Sequence, residues 1–276
     1  AVLGRMISLT ALPLVWWRMV IVSAALFLAP RVWRGIRAMK PSLRLAYAGI
    51  GCLLALHWIM FYGSIKLSNA SVGATCMAFG PVFLSVVEPW IVGRKFDPRE
   101  LLLSVAVIPG VALVVGGVPP GMRIGILVGA LSALFVAIFG ALNKKLVTKG
   151  DAFSMSALEL GCGALLVTVL VPLFPHTGPA FPVPGPRDAV LLTILAIACT
   201  LVPFTLSLVA LRNLSAFGAQ LAINLEVVYA ALIAAALLGE HRELSPRFYL
   251  GALVIVGAVF LHPVLARRQA SEARAI

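Results

Sequence analysis

Residues 216–238 read AFGAQLAINLEVVYAALIAAALL, an almost entirely apolar run. As an α-helix it would rise about 35 Å, at about 1.5 Å per residue, which is enough to cross the hydrocarbon core of a bilayer. Four polar side chains nevertheless lie within it: Gln220, Asn224, Glu226 and Tyr229. Such groups are costly inside a membrane helix and commonly mark a pathway or a binding site. The run therefore predicts a membrane protein whose function depends on this helix.

The composition of the whole chain also places it in a membrane. Its 276 residues are 61% hydrophobic and 12% charged, with a mean hydropathy of +1.05, whereas soluble domains carry about 25% charged residues. The net charge of +12 does not indicate nucleic acid as a partner, because the basic residues lie in short loops between apolar runs. The predicted surroundings are a lipid bilayer.

The cysteines and the motif content predict no metal, no cofactor and no enzyme. All four cysteines lie in apolar runs and no two have the CxxC spacing, which is typical of packing residues rather than of metal ligands. The sequence also contains no HExxH, GxSxG or paired aspartate-rich motif of the kind that hydrolytic enzymes use.

Apolar runs separated by short links divide the chain into nine predicted spans. They cover residues 12–30, 45–65, 72–92, 101–118, 125–142, 154–174, 189–211, 216–238 and 248–266. Residues 1–9 are too short to cross a bilayer and are interpreted as the last turns of a first helix that is largely missing from this chain. The predicted fold class is an all-α polytopic membrane protein with ten helices, the first one included.

The basic residues predict how the chain is oriented. Of the 22 Lys and Arg residues, 15 fall in loops on one predicted side of the membrane and six on the other, and Arg18 lies within a span. Cytoplasmic loops carry an excess of Lys and Arg. The C-terminus is therefore predicted to lie in the cytoplasm.

A shift of 146 residues relates two parts of the chain. It places Gly80-Pro81-Val82-Phe83 on Glu226-Val227-Val228-Tyr229, and Gly93 on Gly239, with a charged loop after each of these two glycines. Because each unit would contain an odd number of helices, five, the second must be inverted relative to the first. We predict two inverted repeats, residues 1–118 and 119–276, an architecture in which transporters bind their substrate near the midplane.

Three groups of residues resemble the EamA-type carriers of the drug/metabolite transporter superfamily. The fourth helix of that family resembles Ser68-Asn69-Ala70-Ser71-Val72-Gly73-Ala74 with Gly80-Pro81-Val82-Phe83. The ninth resembles Leu225-Glu226-Val227-Val228-Tyr229 with Leu238-Gly239-Glu240-His241. The second resembles Trp17-Arg18 followed by Ala24. The resemblance covers essentially the whole chain. Val227 departs from it, since the family usually has proline at that position.

This resemblance implies a bacterial inner-membrane transporter with ten helices in two inverted five-helix repeats. Its nearest subgroup, the YddG-like exporters, implies that apolar or aromatic amino acids move out of the cytoplasm by alternating access. The alternatives are another metabolite or a drug carried by the same fold, a channel, and an intramembrane enzyme. Coupling of transport to protons is left open.

Geometry divides the polar groups of residues 216–238 between two helix faces. At about 100° per residue, Gln220 and Asn224 share one face, whereas Glu226 and Tyr229 lie on the opposite side. We predict that the two amides line a cavity, with interhelical hydrogen bonding as the alternative. Glu226 is expected to couple protons, to act as a conformational latch or to pack against a neighbouring helix, and Tyr229 to brace or gate such a helix.

Residues on other spans complete the predicted cavity. The repeat shift places Ala78 and Pro81 in the positions that match Asn224 and Val227, so the cavity is expected between these two faces. The other predicted lining residues are a titratable histidine and aromatic side chains, which either line a pocket or pack: His57, Trp58, Phe61, Tyr62, Phe139 and Phe204.

Two further acidic residues lie toward the ends of predicted spans. Glu88 precedes Arg94, and Glu159 follows Lys144 and Lys145. Ion pairs near the membrane surface are the expected role of both carboxylates.

Overall fold

The computed structural model describes residues 1–98, 101–102, 108–174, 179–223, 225–239 and 244–257. These residues form α-helices with short 3-10 and π-helical turns, and no strand occurs among them. The predicted all-α class is confirmed. The helices are α1 (Val2–Met6), α2 (Ala11–Phe27), α3 (Pro30–Ala38), α4 (Pro41–Leu67), α5 (Ala70–Cys76), α6 (Gly80–Glu88), α7 (Ile108–Gly117), α8 (Arg123–Leu146), α9 (Ala152–Leu170), α10 (Pro186–Ala196), α11 (Val202–Leu211), α12 (Ala216–Ile223), α13 (Leu225–Leu238) and α14 (Pro246–Gly257).

Six of the nine predicted spans correspond to helices long and apolar enough to cross a membrane. Five are continuous, and α2 with α3 forms a sixth if that bent pair counts as one span. The predicted spans 101–118, 216–238 and 248–266 each include residues outside the described ranges. The five are Pro41–Leu67, Ala70–Gly93, Pro120–Leu146, Ala152–Leu173 and Pro186–Leu211. A polytopic membrane protein is thereby confirmed, while the division into repeats 1–118 and 119–276 stays a prediction.

A helix replaces part of the loop predicted at residues 31–44. α3 follows α2 at an angle of 88°. Pro30 stands in its first turn, where its fixed φ favours a helix start and its missing N–H costs nothing. Val32 is buried while Arg31 and Arg34 are exposed. The basic stretch therefore contains an amphipathic helix. Its many charged residues had suggested a loop.

Local capping chemistry fixes several helix ends. The side chain of Asn69 accepts a hydrogen bond from Val72 N at 3.0 Å, and that of Asp151 accepts one from Ser154 N at 3.1 Å. Both satisfy an N–H group that the first helical turn leaves unpaired. Gly93 and Gly239, which the repeat shift places together, have φ values of 81° and 68°, a region that favours glycine at helix ends.

Two pairs of consecutive short helices, α5 with α6 and α12 with α13, pack against each other. α5 contacts α13, and α6 contacts α12, so the two pairs run antiparallel. Gly80 has no Cβ where the side chain of Gln220 approaches, and a Cβ there would lie 2.9 Å from Gln220 Nε2. Small residues allow this close approach of membrane helices.

α4 lies at the centre of a second group of packed helices. It packs along both α8 and α9, and at Gly51 its backbone meets the backbone of Glu159 so closely that a Cβ would clash. Two hydrophobic clusters fill the interior, and Phe139 and Phe204 pack against both of them. This arrangement leaves a space between α4 and α13.

Candidate substrate cavity

A cavity of about 350 Å³ lies among α1, α2, α4, α8, α10, α12 and α13. Its wall is mainly apolar and aromatic, with a few polar groups. It is lined by Ala1, Val2, Leu3, Arg18, His57, Trp58, Phe61, Tyr62, Met77, Val136, Leu195, Cys199, Gln220, Ile223, Glu226, Tyr229, Ala230 and Ile233.

Arg18 is the basic side chain of this cavity. Its Nε donates to Thr200 Oγ1 at 2.6 Å and its Nη1 donates to Tyr62 Oη at 2.8 Å. The guanidinium carbon lies 3.8 Å from the centroid of the Trp58 ring, a cation–π contact. Among the described residues no carboxylate forms an ion pair with Arg18. Its guanidinium is therefore held in place by neutral groups.

A π-helical turn holds the partner of this arginine. Ile197–Leu201 forms that turn between α10 and α11 and ends two residues before Pro203, which cannot donate a backbone hydrogen bond. Local π adjustments re-satisfy a backbone that proline interrupts in a membrane helix. Here the Thr200 hydroxyl donates to Leu195 O at 2.7 Å and accepts from Arg18. The irregular turn thus orients the guanidinium.

His57 both lines the cavity and joins α4 to α8. Its Nδ1 lies 2.9 Å from the carbonyl oxygen of Ser132 and 2.8 Å from the Ser132 hydroxyl. That hydroxyl also donates to the His57 carbonyl at 2.8 Å. The sequence left cavity lining and structural bonding as alternatives, and the structure combines the two.

Aromatic rings form one wall of the cavity. Phe61 stacks on His57, with ring centroids 6.1 Å apart, and meets Tyr62 edge to face at 5.3 Å. Trp58, Phe61 and Tyr62 are all buried, whereas Tyr229 on α13 is 61% exposed. An apolar side chain of a ligand would be enclosed between these rings.

The polar groups of residues 216–238 are not divided as the sequence predicts. Gln220, Glu226 and Tyr229 line the same cavity, together with Ile223 and Ala230, and Asn224 lies outside the described residues. The expectation that only the face of Gln220 lines the cavity is therefore corrected, whereas the roles of Glu226 and Tyr229 stay predictions.

Four predicted lining residues lie away from this cavity. Ala78 is buried in the 3-10 turn Met77–Phe79, which packs against α8, and Pro81 is buried in α6. Beside Pro81, Gly80 lets α6 approach the Gln220 side chain of α12 closely, as small residues do between membrane helices. Phe139 and Phe204 pack on each other with centroids 5.9 Å apart and join the two hydrophobic clusters.

Arg18 is the main residue that the predicted site omits. The sequence carried a signal for it, since a charged residue within a span marks a functional position by default. Thr200, Leu195 and Cys199 carried no such signal, because only the fold brings their span next to Arg18. Within the described part of the chain, no cluster of His, Cys, Asp and Glu could hold a metal ion.

Comparison with protein families decides the class of protein. The model of the EamA-like transporter family matches residues 1–116 and 123–262. The chain belongs to the EamA-like transporter family. It is therefore a membrane transporter of small molecules, as the resemblance in the sequence implied at superfamily level.

Comparison with solved structures supports the fold. A chain described as "Crystal structure of protein" matches with a TM-score of 0.64 and 16% sequence identity, over 95% of this chain and 90% of that chain. At this identity the likeness shows the fold alone. The curated proteins contain no match to this chain.

Proposed function

We propose that this EamA-like transporter exports amino acids with apolar or aromatic side chains from the cytoplasm, by exposing the cavity around Arg18 and Glu226 alternately to the two sides of the membrane. The proposed location is the bacterial inner membrane, with the C-terminus in the cytoplasm, as the excess of basic loops favours. The observation that carries the proposal is a guanidinium held by neutral groups beside an aromatic wall, with a carboxylate in the same cavity.

The two charged side chains suit the two ends of a zwitterion. Arg18 presents a fixed positive charge that can bind a carboxylate. The side chain of Glu226 is 57% exposed and faces the same cavity. A ligand with one carboxylate and one ammonium group would satisfy both residues.

The size and wall of the cavity limit the rest of the ligand. Ligand sites in proteins commonly measure about 300–1,000 Å³, so a cavity of about 350 Å³ suits a small metabolite. Trp58, Phe61 and Tyr62 offer ring faces and edges to an apolar side chain. These features favour an amino acid over a large drug, which remains the alternative cargo for the same fold.

A flux assay in proteoliposomes tests this proposal. Wild-type protein is expected to carry apolar and aromatic amino acids with saturable kinetics, and to prefer each one over its decarboxylated amine. Arg18→Gln is expected to weaken the apparent affinity about 10- to 100-fold, because a hydrogen bond to a charged group contributes about 1.5–3 kcal/mol. It should also remove the preference over the amine.

A control separates substrate binding from folding. Thr200→Val removes the neutral partner of Arg18 but keeps the positive charge, so the preference for the carboxylate should persist. Absence of saturable flux for every amino acid in the panel rules out this cargo. Flux of an organic cation or of a larger drug instead would favour the alternative, and flux that never saturates would indicate a channel.

A further inference from the structure

A second polar site lies outside the cavity, where α4, α8 and α9 meet. Glu159 on α9 is 0% exposed, and its one hydrogen-bond partner among the described residues is Asn143 on α8, whose Nδ2 lies 3.4 Å from Glu159 Oε2. This distance exceeds the usual range of about 2.7–3.2 Å. The ion pair that the sequence predicts with Lys144 or Lys145 is not formed.

Two oxygens of this site lack hydrogen-bond partners, Oε1 of Glu159 and Oδ1 of Asn143. Both are acceptors, and they belong to side chains that meet through their other polar atoms. The hydroxyl of Ser156, three residues earlier on α9, also has no partner and therefore donates to neither oxygen. A carboxylate and an amide oxygen cannot satisfy each other without a hydrogen between them. The site is therefore short of one donor.

Among the described residues no Lys or Arg forms an ion pair with Glu159. Lys144 on α8 donates to Leu211 O at 2.8 Å. Arg212, after α11, donates to Gly150 O at 2.8 Å. On α2, Arg18 is held in the cavity, and on α3 the Arg31 guanidinium lies 5.2 Å from the ring centroid of Phe153.

The other titratable groups near Glu159 do not supply a hydrogen either. Tyr47 on α4 interacts electrostatically with Glu159 and with Asp151, but its hydroxyl donates to Leu146 O at 2.9 Å. Asp151 caps the start of α9 and has no proton to give as a carboxylate. The thiols of Cys52 on α4 and Cys162 on α9 are weak donors.

We propose that Glu159 is a proton-binding site of this transporter: its carboxyl group holds one proton, donated in a hydrogen bond to Asn143 Oδ1, and exchanges it with water when α8 and α9 separate during transport. A buried charge without a partner is far costlier than a neutral carboxyl group. On uptake the carboxylate gains H⁺ and becomes neutral, and on release it returns the same H⁺ to the aqueous phase.

The position of the site links the proton to conformational change. Glu159 lies about 10 Å along α9 from Ala152, at about 1.5 Å per residue, so the loop at residues 147–151 is the nearest aqueous exit. α4, which carries His57 and Trp58, meets Glu159 at Gly51. Separation of α8 and α9 would therefore wet Glu159 and move the helix that supplies the aromatic wall of the cavity.

Infrared difference spectroscopy with H/D exchange tests the protonation without any substrate. The wild-type protein at neutral pH is expected to show the carbonyl band of a protonated carboxyl group, which Glu159→Gln removes and the control Glu88→Gln retains. Asn143→Leu keeps the acid but removes its acceptor, so the band should move to higher frequency. A wild-type spectrum without this band, as expected for a carboxylate hydrated by trapped water, overturns the proposal.

Flux measurements with an imposed pH gradient test the coupling, which rests on the proposed transport function. The wild-type rate is expected to respond by up to about tenfold per pH unit, because one proton is bound, and Glu159→Gln should be insensitive to the gradient. Equal responses of the two proteins overturn the coupling. Failure to carry amino acids would refute the proposed cargo alone, since the infrared result does not depend on substrate.

Discussion

The carboxylate of Glu88, at the end of α6, accepts a hydrogen bond from the backbone N–H of Ala216 at 3.1 Å, at the first turn of α12. The same carboxylate accepts the N–H of Phe217 at 3.0 Å and lies 3.5 Å from the guanidinium of Arg94. It therefore satisfies unpaired donors of a helix about 130 residues away in the chain, where a negative charge is also favoured by the helix dipole.

This contact predicts that Glu88 contributes to stability. Glu88→Gln keeps one carbonyl acceptor but removes the charge, so the protein should lose about 1–2 kcal/mol of stability. Thermal unfolding in detergent measures the effect. The matched control is Glu226→Gln, whose side chain is largely exposed and should leave the melting temperature unchanged. Equal melting temperatures for the two variants would show that Glu88 does not brace α12.

Glu226 should affect transport more than Glu88 does. Glu226→Gln removes the negative charge of the cavity, and the apparent affinity for a zwitterionic substrate should fall about tenfold, which corresponds to about 1.4 kcal/mol. Initial rates over a range of substrate concentrations measure this change. Glu88→Gln should keep the wild-type affinity in the fraction that remains folded. Identical transport by both variants would contradict the assignment of Glu226 to the cavity site.

Trp58 should contribute to binding through its ring face. Trp58→Ala removes the surface on which Arg18 rests and one aromatic wall, so affinity should decrease by about 1–2 kcal/mol, or roughly tenfold. Trp90, which is 90% exposed, provides a matched control because Trp90→Ala changes the same side chain away from the cavity. The quenching of tryptophan fluorescence by substrate should be reduced in Trp58→Ala alone. Unchanged affinity would place the ligand elsewhere.

The contact of α4 with α9 should be intolerant of a side chain at Gly51. A Cβ at this position would lie 2.7 Å from the Cα of Glu159, so Gly51→Ala should force the helices apart and destabilise the protein by about 1–3 kcal/mol. Gly49, on the same helix, has open space around it, and Gly49→Ala should be neutral or slightly stabilising. A comparison of thermal unfolding distinguishes these outcomes.

Much of the architecture could be predicted from residue patterns. Long apolar runs such as 125–142 have one low-energy structure in a bilayer, because a helix alone satisfies its backbone groups internally. Some cavity residues were also predictable, because polar side chains such as His57 and Gln220 are conspicuous in an apolar run. The position of Phe139 could not be predicted, because an aromatic residue is equally suited to packing in the core and to lining a cavity.

The sequence by itself determined that this chain is a polytopic helical membrane protein of a transporter family, because hydrophobic run length and helix-end signals are local properties. Only the tertiary structure decided that Arg18 meets Thr200, that Gly80 on α6 meets Gln220 on α12, and that Glu159 has no ion-pair partner among the described residues. Those relationships join residues that are far apart in the chain. They depend on which helix faces approach, which small residues permit that approach, and which polar groups are then left without water.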